Sequence, residues 1–290
     1  MRPSASDLGG KSFVITGAGS GIGKSTAMAL AKAGANLLLI CRDGVRGEAT
    51  AEEIREESDN PLVNVILADL ASQESIREMA HAIHGRLSHL DVLINNAGIH
   101  CAERRLSPDG FELTFATNHL AYFLLTQLLL DLLKASESAR IVNVSSEAHR
   151  RGTIDFDNLQ GEKQYRAFRA YSNSKLANIL FTYELAERLK GTRVTVNCLH
   201  PGTVRTNFGR GDPGFFRTVV KLAAPFMLSP EKGAETSIYL ASSPEVEGVS
   251  GKYFIKCAEA RSSPESYDQA KARRLWEVSE EMTRGGAVAA

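Results

Sequence analysis

The chain has 290 residues, 43% apolar and 23% charged, and its 34 basic and 34 acidic side chains balance to a net charge of zero. These are globular proportions with room for one large α/β core, and the even charge excludes the basic footprint of a nucleic-acid or acidic-membrane binder. The four cysteines, Cys41, Cys101, Cys198 and Cys257, make no Cys-x-x-Cys pair and no disulfide framework, and the polar stretch 1–11 has neither signal-peptide nor anchor character; both features set the expectation of a reduced, cytoplasmic protein.

In chain order, the first landmark is Thr16-Gly17-Ala18-Gly19-Ser20-Gly21-Ile22-Gly23. It follows an apolar run at 12–15 and opens a helical pattern over 22–33. Strand, glycine-rich turn and helix is the arrangement that sets backbone N–H groups against a pyrophosphate, with Ser20 able to add a hydroxyl. The spacing is Gly-x-x-x-Gly-x-Gly rather than Gly-x-Gly-x-x-Gly, and alone it reads equally as a tight turn. The second strand, 37–40, ends at Cys41-Arg42-Asp43. A site for NAD places an acid near this point for the ribose 2′-OH; a guanidinium there suits a 2′-phosphate instead. The plainer alternative is a solvated Arg42 paired with Asp43. After a helix at 48–57 and a strand at 63–67 comes Asp69-Leu70, whose carboxylate either accepts from an adenine amino group or caps the helix at 72–87. The fourth strand, 92–94, runs into Asn95-Asn96-Ala97-Gly98. The two amides can tie neighbouring strand ends together, and the small residues would let a flat cofactor lie against the backbone.

The next helical pattern, 111–134, contains the most apolar run, 120–133, which is interrupted by Thr126, Gln127 and Asp131 and is too short to span a bilayer. Asn118 is unfavourable inside a helix, so a buried Asn118 points to a polar task such as holding a water. The fifth strand, 141–144, ends at Ser145-Ser146, where a hydroxyl either donates to a substrate oxygen or caps a turn. The helix at 170–190 carries Tyr171 and Lys175 on one face. A phenol ordinarily titrates near about 10, and a neighbouring ammonium is expected to lower it, so that the pair can pass a proton to or from a carbonyl or alcohol oxygen. A strand at 194–199, a helix at 230–241, a strand at 253–255 and an amphipathic tail at 262–283 with the single Trp276 complete the pattern. Strand and helix alternate throughout, which predicts an α/β fold, a doubly wound, Rossmann-type parallel sheet with helices on both faces. No linker divides it: one domain is expected over 1–290, with a core at 11–256 and a C-terminal helix at 262–283. The excursions 148–169 and 202–229 follow strand ends, where substrates bind in such sheets. The second is rich in Phe208, Phe215, Phe216 and Phe226, which reads as an apolar cover of the pocket mouth and equally as ordinary packing or a shallow membrane-contact helix. His81 and His84 share a helix face, but no cysteine or carboxylate set completes a metal site around them.

Taken together, these motifs resemble the short-chain dehydrogenase/reductase family. Thr-Gly-x-x-x-Gly-x-Gly, Asn-Asn-Ala-Gly, the strand-end serine, Tyr-x-x-x-Lys and Pro201-Gly202 occur in the family's order over nearly the whole chain. A closer likeness, carried by Cys41-Arg42-Asp43, Leu-Gln-Gly-Glu at 159–162, the stretch 170–178, His200-Pro201-Gly202-Thr203-Val204 and Leu275-Trp276-Glu277, is to the retinol-dehydrogenase-like branch. The resemblance implies Tyr171 as acid/base, Lys175 as its modulator and a ribose contact, Ser146 rather than Ser145 as carbonyl polariser, and Asn118 as holder of a relay water. It also implies that Thr206 touches the nicotinamide carboxamide.

The expectation is an NADP(H)-dependent oxidoreductase that interconverts an apolar aldehyde or ketone and its alcohol. Its catalytic set is Asn118, Ser146, Tyr171 and Lys175. Its cofactor set is Gly17, Ser20, Gly21, Ile22, Gly23, Arg42, Asp69, Leu70, Asn96, Tyr171, Lys175, Pro201, Gly202, Val204 and Thr206, with no metal. The expected partner is a small substrate, without nucleic acid or a transmembrane segment, in a homodimer or homotetramer paired through helices 111–134 and 171–190 as in similar family members. Two alternatives are a C=C reductase of the protochlorophyllide-reductase type and an NADP-binding sensor or scaffold without turnover.

Overall fold

Short apolar runs become strands here because both of their faces are covered. The computed structural model describes residues 7–204 and 227–284. Its strands are β1 (Ser12–Thr16), β2 (Asn36–Cys41), β3 (Val63–Leu67), β4 (Val92–Asn95), β5 (Ala139–Val144), β6 (Val194–His200), β7 (Tyr253–Ile255) and β8 (Ala258–Ala260). They form one sheet in the order β3-β2-β1-β4-β5-β6-β7-β8, parallel throughout except for the β7–β8 hairpin. The strand order reverses between β1 and β4, and it is outside the carboxyl ends at such a point that α/β sheets bind ligands.

The helices are α1 (Gly21–Lys32), α2 (Gly44–Ser58), α3 (Gln73–His84), α4 (Leu113–Phe115), α5 (Ala121–Leu128), α6 (Leu130–Ala135), α7 (Ala167–Arg188), α8 (Pro230–Ser242) and α9 (Gln269–Thr283). Alternate residues of each strand serve different cores. Phe13 and Ile15 pack with Leu30 of α1, Ile54 of α2 and Leu240 of α8. Val14 points the other way, into a cluster with Met79 of α3, Phe123 of α5, Phe181 of α7 and Trp276 of α9.

The structure differs from the sequence pattern in three places. β8 lay outside the pattern because Ala258-Glu259-Ala260 is short and largely exposed. Its hairpin turn also uses Lys256 and Cys257 at positive φ, 51° and 61°, where glycine or asparagine is the usual signal. The expected helix at 111–134 is not continuous: a π-helical turn, Ala116–Leu120, separates α4 from α5, and Leu129 separates α5 from α6. The tail begins as a 3-10 turn, Pro264–Tyr267, before α9. No helix among the described residues is long and apolar enough to cross a membrane.

Candidate active site

The glycine-rich turn joins β1 to α1 and lies directly on the end of β4. Gly17 and Gly21 have positive φ, 66° and 55°, a region costly for residues with a Cβ. A Cβ on Gly17 would stand 2.9 Å from the Ala97 Cα, and one on Gly23 would stand 2.4 Å from the Gly17 carbonyl oxygen. Ser20 holds the N-cap position of α1 with extended backbone, yet its hydroxyl makes no cap hydrogen bond, and the first turn carries no acid. A helix N-terminus of this kind, with a bare glycine surface before it, fits an anionic dinucleotide. Ile22, also in this turn, is partly buried; with Val204 it crowds Gly233 of α8, where a Cβ would lie 2.5 Å from Val204 and 3.2 Å from Ile22.

The strand ends are tied by amides and one hydroxyl. The Asn96 backbone N–H donates to the Thr16 Oγ1 (2.9 Å), as does that of Ala97 (3.1 Å), and the Asn96 side chain donates to the Thr16 carbonyl (2.8 Å). Asn95 faces the opposite way and donates to the Asn143 Oδ1 of β5 (2.9 Å), whose own amide donates to the Thr182 hydroxyl of α7 (3.0 Å). Thus β1, β4, β5 and α7 are locked at one edge, as the paired asparagines suggested.

That edge faces Tyr171 and Lys175, one turn apart on α7. The Lys175 Nζ donates to the Val144 carbonyl at the end of β5 (3.0 Å) and lies 5.7 Å from the centre of the Tyr171 ring and 5.8 Å from that of Tyr122. Lys175 is only 3% exposed, and burial pulls its ammonium down to about 7. Burial likewise pushes the Tyr171 phenol up to about 12, with the hydrogen-bonding Ser146 hydroxyl opposing the rise. The phenol therefore lies above its ordinary value rather than below it as expected: burial is the dominant cause, and the Ser146 hydroxyl is what opposes it. The two strand-end serines separate cleanly. Ser145 is buried and donates to the Lys175 carbonyl (2.8 Å), whereas Ser146 turns to Tyr171 and also accepts from the Ala148 N–H (3.2 Å).

Asn118 lies in the π-helical turn and is fully buried. Its Oδ1 accepts from the Ile99 N–H (2.8 Å), while its Nδ2 donates to the Ile99 carbonyl (3.0 Å) and to the Ser174 Oγ (3.0 Å). The side chain therefore clamps the chain that follows Gly98 instead of standing open for a water. Gly98 itself passes close over the site: a Cβ there would lie 3.3 Å from the Lys175 Nζ.

The remaining candidates line the same edge. Arg42 is exposed at the end of β2, and no ion pair joins it to another described residue. Asp43 accepts from the Arg46 N–H (3.1 Å) as N-cap of α2, which replaces the pairing with Arg42 in the plainer reading. Cys41 is buried beneath the glycine turn, and burial pushes its thiol up to about 11. Asp69 does not cap α3; Ser72 does, and the Asp69 carboxylate accepts from the Ala71 N–H (3.0 Å) in the turn beside buried Leu70. Gly202, at φ 89°, follows Pro201 and packs on Leu228, while Val204 bridges to Leu228. Thr206 and the phenylalanines at 208, 215, 216 and 226 lie outside the described residues.

Several contributors escaped sequence reasoning. Thr16 precedes the first glycine and was legible only as part of the motif. Ser174 sits inside Tyr-x-x-x-Lys. Tyr122, which donates to the Ala97 carbonyl (2.7 Å), and Gly152, where a Cβ would lie 2.5 Å from the Ser172 carbonyl oxygen, had no local signal at all.

Residues 11–212, well over half of the chain, match the family model described as short chain dehydrogenase. The chain is 49% identical over 288 residues to retinol dehydrogenase 14 from Mus musculus, covering 94% of this chain and 86% of that one. Among solved structures it resembles an uncharacterized protein from Mycobacterium Paratuberculosis at 33% identity and a TM-score of 0.80, covering 100% of this chain and 99% of the other. It also resembles the RhlG/NADP active-site complex from Pseudomonas aeruginosa at 28% identity and a TM-score of 0.70, covering 88% and 97%.

Proposed function

The chain belongs to the short-chain dehydrogenase family, in its retinol-dehydrogenase-like branch, and on that premise we propose that it uses NADP(H) to interconvert an apolar aldehyde or ketone and its alcohol. The observation that carries this reading is the Tyr171 phenol, hydrogen-bonded to Ser146 and one helical turn from Lys175, at the sheet edge that also holds the bare glycine surface. When bound, the nicotinamide supplies hydride to a carbonyl carbon or accepts it from an alcohol carbon. Gly17, Gly21 and Gly23 would hold the pyrophosphate with Ser20 and Ile22. Arg42 would meet the 2′-phosphate, Asp69 and Leu70 the adenine, and Asn96 with Pro201, Gly202, Val204 and Thr206 the nicotinamide end.

The chain's own part is proton chemistry. A phenol held near about 12 is protonated at neutral pH, so Tyr171 is poised as the acid that protonates a carbonyl oxygen during reduction, with Ser146 as second donor to that oxygen. Alcohol oxidation needs the phenolate, so its rate should rise with pH. Lys175 steadies the phenolate only while charged, and contributes to ribose binding. Because the Asn118 side chain is engaged with Ile99 and Ser174, a relay water would have to meet its backbone.

The apolar substrate class is supported by the phenylalanine-rich segment at 208–226, and the NADP preference by Arg42 and by the NADP in the RhlG complex. A homodimer or homotetramer is proposed from the family resemblance; because Trp276 of α9 packs on Phe123 and Phe181 (ring centres 4.9 and 5.9 Å), a contact along α5 and α7 would be made jointly with α9. Cytoplasmic residence is part of the same proposal. The test is a spectrophotometric screen of NADPH and NADH consumption over aldehydes, ketones, quinones and retinal, with product analysis. Saturated products that retain their carbonyl would favour the C=C reductase, and cofactor binding without any turnover would favour the sensor.

A further inference from the structure

The turn that carries Ser146 is held from beneath by a histidine. His149 is fully buried in the 3-10 turn Glu147–Arg151 and uses both ring nitrogens. Its Nδ1 is 2.7 Å from the Ser146 carbonyl oxygen, which can only accept. Its Nε2 is 3.0 Å from the Ser263 backbone N–H, which can only donate. The two partners together fix one neutral tautomer, protonated on Nδ1. Burial lowers the imidazole pKa, in keeping with that form. The ring stands edge-on to Tyr253 with centres 5.1 Å apart, so the tyrosine packs against one side of it. One residue further on, Arg150 donates to the Arg261 carbonyl (2.7 Å). The segment 261–263 is thus pinned under the serine turn at two points, and it leads into α9.

We propose that His149 is a positioning residue for Ser146, its Nδ1–H holding the serine's carbonyl so that the serine's hydroxyl meets the reacting oxygen beside Tyr171. The inference rests on the reading of Ser146 as a donor to the substrate carbonyl. Ser146 needs such support because it follows the end of β5, beyond the last ladder partner at Val144, and its side chain is divided between Tyr171 and the Ala148 N–H. A donor displaced by a fraction of an ångström loses much of its effect on the transition state.

Two amide substitutions separate positioning from general stability. His149→Asn keeps a donor where Nδ1 stood and loses the Ser263 bond. His149→Gln places its amide where Nε2 stood and loses the side-chain bond to the Ser146 carbonyl, which keeps only the His149 backbone N–H (3.0 Å). Each gives up one buried hydrogen bond, so both should lower the melting temperature. Only the Gln variant should lower kcat for carbonyl reduction, by roughly 10- to 100-fold, with the KM for NADPH unchanged. Ser146→Ala sets the scale, and adding His149→Gln to it should cost no further kcat, because the group being positioned is gone. If Ser146→Ala is impaired while His149→Gln keeps wild-type kcat, or if the Asn and Gln variants lose kcat equally, the positioning role is overturned. If Ser146→Ala itself turns over normally, the failure lies in the proposed role of Ser146. Should the Gln variant not fold, the Asn variant decides: retained kcat in a destabilised protein supports the role, and a loss as large as that of Ser146→Ala refutes it.

Discussion

Lys175→Met should stabilise the fold near neutral pH while abolishing turnover. The lysine is buried, and its ammonium falls from an ordinary 10.5 to about 7. At 1.36 kcal/mol per pKa unit, holding the charge in the fold below pH 7 costs on the order of 5 kcal/mol. The sign follows from linkage: between the two values the unfolded chain binds more protons than the native one, so wild-type stability rises with pH. The cost is absent above 10.5, grows as pH falls between the two values, and is complete below about 7. Methionine has similar length and no charge, so it removes this dependence. It also leaves the Val144 carbonyl without its donor, at a cost of about 1–3 kcal/mol that does not vary with pH. Urea unfolding of both proteins at pH 6 and pH 9 isolates the charge term. The advantage of the variant should shrink by about 3 kcal/mol across that range. A difference that stays constant with pH would show that Lys175 is not held in a destabilised charged state, and the account of its pKa would fall.

Tyr171→Phe should lose about 10² to 10⁴ in turnover with NADPH binding nearly intact, since the ring still packs and only the proton is lost; normal activity would end the proton-relay reading. Arg42→Ala should weaken NADPH about ten- to a hundredfold, the worth of one charge-assisted bond, and leave NADH unchanged. Adding Cys41→Asp should push the kcat/KM ratio further toward NADH, although a carboxylate in that buried place will destabilise the fold, so a melting curve must accompany the kinetics. Gly23→Ala drives a methyl into the Gly17 carbonyl and the Asn96 amide, and should cost about 1–3 kcal/mol of stability together with most cofactor affinity; an isothermal titration matching wild type would contradict the cradle. Light scattering at micromolar concentration should show a dimer or tetramer, and a monomer alone would remove the subunit contact proposed along α5, α7 and α9.

Local chemistry was enough for much of this protein. Runs such as Val14-Ile15 and Leu38-Leu39 are apolar without alternation because helices cover both sides of a parallel sheet, so strand number one to seven and the doubly wound class could be read from spacing. The glycines of the first turn and the one-turn interval between Tyr171 and Lys175 were legible because they depend on backbone torsion and helical pitch, both set by near neighbours in sequence. Distances across the fold were not. Which serine turns to Tyr171 depends on the Lys175 carbonyl taking the hydroxyl of Ser145, thirty residues away in sequence. The π-helical turn at Asn118 exists against the background of the Ile99 peptide and Ser174, and the helical pattern gives no sign of it. The direction of the phenol's pKa went against pairwise reasoning because a sequence places a lysine near a tyrosine but does not say how much water either retains. Desolvation, and the buried hydrogen bonds that join residues remote in the chain, belong to the assembled sheet edge, and only the tertiary structure decides them.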